Sequence, residues 1–216
     1  INQMPAQLPP TMVNHRNRKS WLRKTLRLSQ QEAVAASSMT TTSDIFFSAY
    51  AIFLNASLGQ MAWVTGLPQL FGAFNQLLSV WIANHFSRKK FITLCAVIQA
   101  SVVIAMGLLA ITSPENVVWI FIILAALYHG LLNLIQPHWR AWMGSIVPER
   151  RRGSFFAART RLTMIASLTF FALGGIVLNI TDQSNVSWIG FSLLFLIAGS
   201  SRLISARLLW LMHDPD

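Results

Sequence analysis

Six stretches of this chain are long and apolar enough to cross a bilayer as helices, which takes about 20 residues each. They lie at roughly 33–54, 62–83, 91–112, 117–137, 162–180 and 186–206, and none alternates as a barrel strand would. Across 216 residues, 54% are hydrophobic and 11% charged. A soluble domain carries about 25% charged residues, so composition and spans agree on an all-α integral membrane protein.

The first span is the least hydrophobic, with SSMTTTSD at its centre, yet the loop charges require it. All 17 Lys and Arg residues fall on one side once six spans are drawn. They precede the first span, join the second to the third and the fourth to the fifth, or close the sixth. The opposite loops carry only Glu115 and Asp182. Excess Lys and Arg marks the cytoplasmic side, so both termini are expected inside. Trp63, Trp81, Trp119, Trp139, Trp142, Trp188 and Trp210 fall near span ends, where indoles favour the membrane interface.

The net charge of +10 is therefore topological and does not point to nucleic acid. Residues 1–30 read as a cytoplasmic basic segment, 31–211 as the six-helix bundle and 212–216 as the start of a cytoplasmic linker. SWLRKTLRL (20–28) reads as a positive flank that fixes orientation, or as a short amphipathic helix on the inner surface. The first residue is Ile rather than Met, as in a fragment or processed product. A lone cysteine, Cys95, rules out a disulfide within the chain and reads as apolar packing.

Polar side chains at membrane depth are costly and usually face protein or water. Thr40, Asp44, Ser48 and Asn55 share one face of the first span, and His129, Asn133 and Gln136 share one face of the fourth. Arg140 continues the second stripe inward. Gln69, Gln76 and Ser79 add a weaker stripe on the second span, and the third, with only Gln99, looks peripheral. Asp44 and His129 stand near the midplane. Burial favours a neutral acid and base, whereas proximity favours the ion pair. Either way, a carboxyl–imidazole pair exchanges a proton as water reaches it. Three roles remain open for Asp44: carrying a proton, holding a substrate, or anchoring its Ser and Thr neighbours. His129 shares the first two, or is a core histidine bonded to Asn133 or a main-chain carbonyl.

Two inner loops carry a family resemblance. SVWIANHFSRKKFI (79–92) resembles the G-x-L-A-D-R-x-G-R-K motif between the second and third helices of the major facilitator superfamily. Ala83, Arg88 and Lys89 match, Ile82 replaces leucine, and Asn84, His85, Ser87 and Val80 depart. Val147, Pro148, Arg152 and Gly153 match that family's second long inner loop, D-x-V-P-x-x-x-R-G, with Ser145 where an acid is common.

The resemblance implies the amino-terminal six-helix half of a twelve-helix transporter, built as two inverted three-helix repeats. The first and fourth helices would then line the central cavity, with Thr40, Ser48, Gln69, Gln76, Asn133 and Gln136 as lining residues. Asn84, Arg88, Lys89, Arg140 and Arg152 would belong to cytoplasmic gating loops. Asn84 lacks the charge that the motif's acid contributes to gating. SLTFFALGGIVL (167–178) lacks the drug-antiporter signature G-P-x-x-G-G, and Gly174 and Gly175 read as close-packing positions.

The functional expectation is a secondary transporter moving a small solute by alternating access, with proton coupling, in a bacterial inner membrane. Its partners would be solute, protons, lipid and a missing carboxyl-terminal half or second copy. The alternative is a non-transporting scaffold or receptor on the same fold. An enzyme is not expected, since there is no second midspan aspartate, G-x-S-G or H-E-x-x-H motif. Neither cofactor nor metal is implied.

Overall fold

The computed structural model describes the backbone of residues 10–83 and 87–213, and their side chains except those of 10–19, 69, 73, 76, 77 and 79–83. Helix α1 spans Pro10–Thr42 and ends in a 3₁₀ turn, Asp44–Phe46, followed by α2, Phe47–Phe53. Then come α3 (Leu58–Ala83), α4 (Arg88–Thr112), α5 (Val117–Ile146), α6 (Glu149–Gln183) and α7 (Ser187–Leu211). Among the described residues, α4, α5, α6 and α7 are long and apolar enough to span a membrane.

The break in the first span follows from its Ser/Thr run. Thr42 Oγ1 donates to the Ser38 carbonyl at 2.8 Å and Ser43 Oγ to the Met39 carbonyl at 2.7 Å. Such back-bonding competes with the helical ladder and bends helices. At Ser43 the backbone turns to φ −116°, and Asp44 opens the tighter 3₁₀ turn. A 3₁₀ stretch inside a helix often marks a functional hinge.

Several helices run past the apolar stretches that reveal them. Hydropathy reports bilayer depth, whereas helical hydrogen bonding continues on amphipathic sequence beyond it. The basic segment is thus helical from Pro10 and continuous with the first span, instead of forming a separate surface helix. The interval between the fourth and fifth spans is helical except at Val147–Pro148, where proline ends one helix and Glu149 starts the next. Trp139 and Trp142, expected at the interface, are buried inside the bundle.

The main packing partners are α4 with α7, α1 with α7, α3 with α5, α4 with α5, and α1 with α6. Exchange the first three spans for the last three and each pair maps onto another pair or onto itself. The third span is not peripheral in this bundle, because α4 packs on both α5 and α7. Gln99 is fully buried there and donates to the Tyr128 carbonyl at 3.1 Å.

Small residues permit the α4–α7 approach. A Cβ on Gly199 would lie 2.4 Å from Ile104 Cγ1 and 3.2 Å from the Ala100 carbonyl oxygen. Gly199→Val is therefore expected to lower stability by roughly 1–3 kcal/mol through overpacking. A lower thermal midpoint in detergent would register it, and an unchanged midpoint would contradict such close packing. The two glycines of the fifth span differ. A Cβ on Gly174 would lie 2.8 Å from the Phe46 ring, whereas Gly175 has open space.

Candidate functional site

The helix break determines the site. Asp44 leads the 3₁₀ turn, and its Oδ1 lies 3.2 Å from His129 Nε2 on α5. Both side chains are part-buried. Phe47 and Tyr128 stand edge-on to the imidazole, with ring centroids 5.8 and 5.1 Å away. The imidazole thus has aromatic walls and one carboxylate. Such a pair can hold or pass a proton, or bind a polar group of a solute.

Toward the end of the bundle that carries Arg140 and Arg159, α1, α5, α6 and α7 line a groove of about 760 Å³. Thr40 and Gln136 line it, as does Arg140. It ends one helical turn short of Asp44. Its far wall carries Glu32, Arg159 and Arg202, a cluster that the sequence reading missed. Arg159 Nη2 lies 2.5 Å from Glu32 Oε2, and Arg202 Nη1 lies 4.0 Å from Oε1. By its sequence position Arg202 reads as a loop charge closing the sixth span, yet it lies on α7 with its side chain buried. The available signal was a single acid, Glu32, at the edge of an apolar span in a chain with seven Asp and Glu residues.

The remaining expected positions separate. Asn133 leaves the stripe for the α3–α5 interface, where a Cβ on Gly72 would come within 2.9 Å of its Nδ2. Asn75 repeats the arrangement by donating to the Gly130 carbonyl at 2.9 Å. Ser48 is exposed and does not line the groove. Gln69 and Gln76 sit on α3, but their side chains, like the whole of Asn84, lie outside the described residues. Arg88 is the first residue of α4.

Lys89 and Arg152 each reach the end of another helix. Lys89 Nζ donates to the Met212 carbonyl just beyond α7 at 2.8 Å and lies 5.4 Å from the Trp210 ring centroid. Arg152 donates to the Gly144 and Val147 carbonyls at the end of α5, at 2.7 and 3.1 Å. Cations there satisfy terminal carbonyls and oppose the negative end of the helix dipole. Among the described residues, no group of three or more His, Cys, Asp or Glu side chains could hold a metal.

The family model described as Major Facilitator Superfamily matches residues 33–216. The chain belongs to the major facilitator superfamily. Its members move small solutes across membranes. Searches of curated proteins and of solved structures returned no significant match.

Proposed function

We propose that the chain is the amino-terminal six-helix half of a secondary active transporter that moves a small solute by alternating access. The carrying observation is the 3.2 Å contact between Asp44, at the break of the first span, and His129 on α5. When the pair holds a proton shared as Asp⁻ and HisH⁺, it is net neutral. Without that proton it carries one negative charge, which opposes movement of the site through an apolar barrier. Proton binding is thereby tied to reorientation.

The exchange symmetry of helix packing supports two three-helix repeats, and a discontinuous helix beside a groove is the arrangement in which transporters place their sites. The one-sided basic loops support cytoplasmic termini, and the short loops on the opposite side are the ground for reading a bacterial inner membrane. The missing partner is a second six-helix half, or less simply a second copy of this chain. In this reading Lys89 and Arg152 hold the cytoplasmic ends of neighbouring helices in register during rocking.

The test is solute flux by the full-length protein in proteoliposomes with an imposed pH gradient. Gradient-dependent flux of at least one small solute is expected. No flux of any solute through a folded protein would return it to the scaffold or receptor reading. His129→Ala is expected to shift the pH optimum of uptake or to weaken solute affinity. A wild-type profile would leave His129 a packing role only.

A further inference from the structure

Three helices meet on one carboxylate at the inner end of the groove. Glu32 of α1 receives Arg159 of α6 at 2.5 Å, and Ser205 of α7 donates its hydroxyl to Oε1 at 2.9 Å. Arg159 Nη1 donates to both the main-chain oxygen and the hydroxyl of Ser29. Its guanidinium carbon lies 4.1 Å from the Trp139 ring centroid. Arg202, only 3% exposed, reaches Ser205 Oγ at 3.1 Å and Glu32 at 4.0 Å. Its Nε and Nη2 have no hydrogen-bond partner among the described residues.

One buried guanidinium, Arg202, and one part-buried guanidinium, Arg159, therefore share one carboxylate. Buried polar groups are ordinarily satisfied, and buried charges are ordinarily paired. Arg140 also lines the groove, whose only acid among the described lining residues is Glu32. Three cations against one anion leave the groove at +2. Its α6 wall presents Thr160, Thr163 and Ser167, while the apolar Met164, Ile165 and Leu168 are exposed elsewhere on that helix. The cations thus share the groove with hydroxyls of α6 and with an apolar lining that includes Phe156 and Leu132.

Resting on the transport reading above, we infer that the groove binds a small solute by an anionic carboxylate or phosphate group on Arg159. Glu32 yields Arg159 to the solute and turns to Arg202, whose unpaired Nε and Nη2 supply the donors. Guanidinium geometry suits this exchange, because its planar fork binds carboxylate or phosphate through two parallel hydrogen bonds. Trp139 stacks on Arg159 and holds the plane of the fork. After exchange each guanidinium has its own anion, so no buried cation is left alone. Arg159 is the binding residue and Arg202 a positioning residue.

Thermal unfolding of the full-length protein in neutral detergent at constant ionic strength tests the exchange. Probes are inorganic phosphate, succinate, lactate, glucose 6-phosphate, glucose and lysine. At least one of the four anions is expected to raise the midpoint by about 5 °C at a hundredfold excess over its Kd. Glucose and lysine are expected to leave it unchanged.

Arg159→Gln should remove the anion response, and Arg159→Lys should weaken it by losing the fork. Glu32→Gln separates the exchange from a fixed ion pair. It should bind the same anion about tenfold more tightly, since it removes the internal competitor, and the anion should restore part of its lowered midpoint. Unchanged or weaker anion binding in Glu32→Gln would overturn the exchange. If that variant does not fold, the wild-type panel and Arg159→Lys still decide.

No response to any of the four anions, or a response to glucose or lysine alone, overturns the proposal. So does a response to added phosphatidylglycerol without one to soluble anions, which would assign the guanidiniums to a lipid headgroup. Gradient-driven transport of a neutral solute would sink this inference and leave the transport reading standing. Anion binding without flux would do the reverse.

Discussion

Glu32→Ala is expected to destabilise the bundle by roughly 3–5 kcal/mol, the usual cost of removing one partner from a buried charge cluster. Glu32 is itself 3% exposed and is the shared anion for Arg159 and Arg202. Without it, Arg202 retains Ser205 Oγ as its hydrogen-bond partner, and no other acid among the described residues pairs with its charge. The loss also removes a carboxylate that joins α1 to both α6 and α7, leaving the Ser37–Ser167 and Ser38–Ser201 contacts in place. Denaturation in graded SDS or heat, followed by tryptophan fluorescence, measures the effect. The triple variant Glu32→Leu, Arg159→Met, Arg202→Met should recover most of it, since well-packed apolar replacements of buried ion clusters are often neutral or stabilising. A loss below about 1 kcal/mol in Glu32→Ala would mean that groove water already solvates the arginines.

Asp44 and His129 stood out because ionisable groups in mid-span are rare, and a shared helical face suggested a common environment. Their 3.2 Å contact was not legible, since no local pattern fixes how α5 rotates against the 3₁₀ turn. Glu32 lies at the boundary where an apolar window stops, and its partners are 127 and 173 residues away in sequence. Arginines near span ends serve as topological markers, a use that conceals the buried pairing of Arg202.

Asn133 misled for a related reason. Its spacing from His129 fits one stripe, but Gly72 opposite it opens a gap that the amide fills. Only the facing helix carries that information, and Asn75 with Gly130 does the same in reverse. By contrast, the helix break was half-written in SSMTTTSD. The same polar hydroxyls that lower the hydropathy of the first span bond to carbonyls one turn back and bend the helix.

Asp44→Asn is expected to reduce gradient-driven accumulation to equilibrium, and the size of that fall depends on solute charge. One pH unit stores about 1.4 kcal/mol per proton, and 100 mV adds about 2.3 kcal/mol per charge moved. A neutral solute carried with one proton could thus be concentrated roughly 500-fold at both gradients. A monoanion carried with one proton moves no net charge, so the pH gradient alone acts and the limit is about tenfold per unit. If the solute is a monoanion held as inferred, wild-type accumulation should ignore a valinomycin-imposed potential, and the variant should fall about tenfold, to a ratio of one, with the potential clamped at zero.

Exchange of labelled for unlabelled solute then resolves the three roles of Asp44. An asparagine cannot release a proton, but the loaded carrier need not release one to exchange. Retained exchange with lost accumulation identifies Asp44 as the proton carrier. Loss of both, with an unchanged thermal midpoint, makes it a substrate ligand. Wild-type accumulation with a lowered midpoint leaves it an anchor for the broken helix, and proton coupling must then lie elsewhere in the complete transporter.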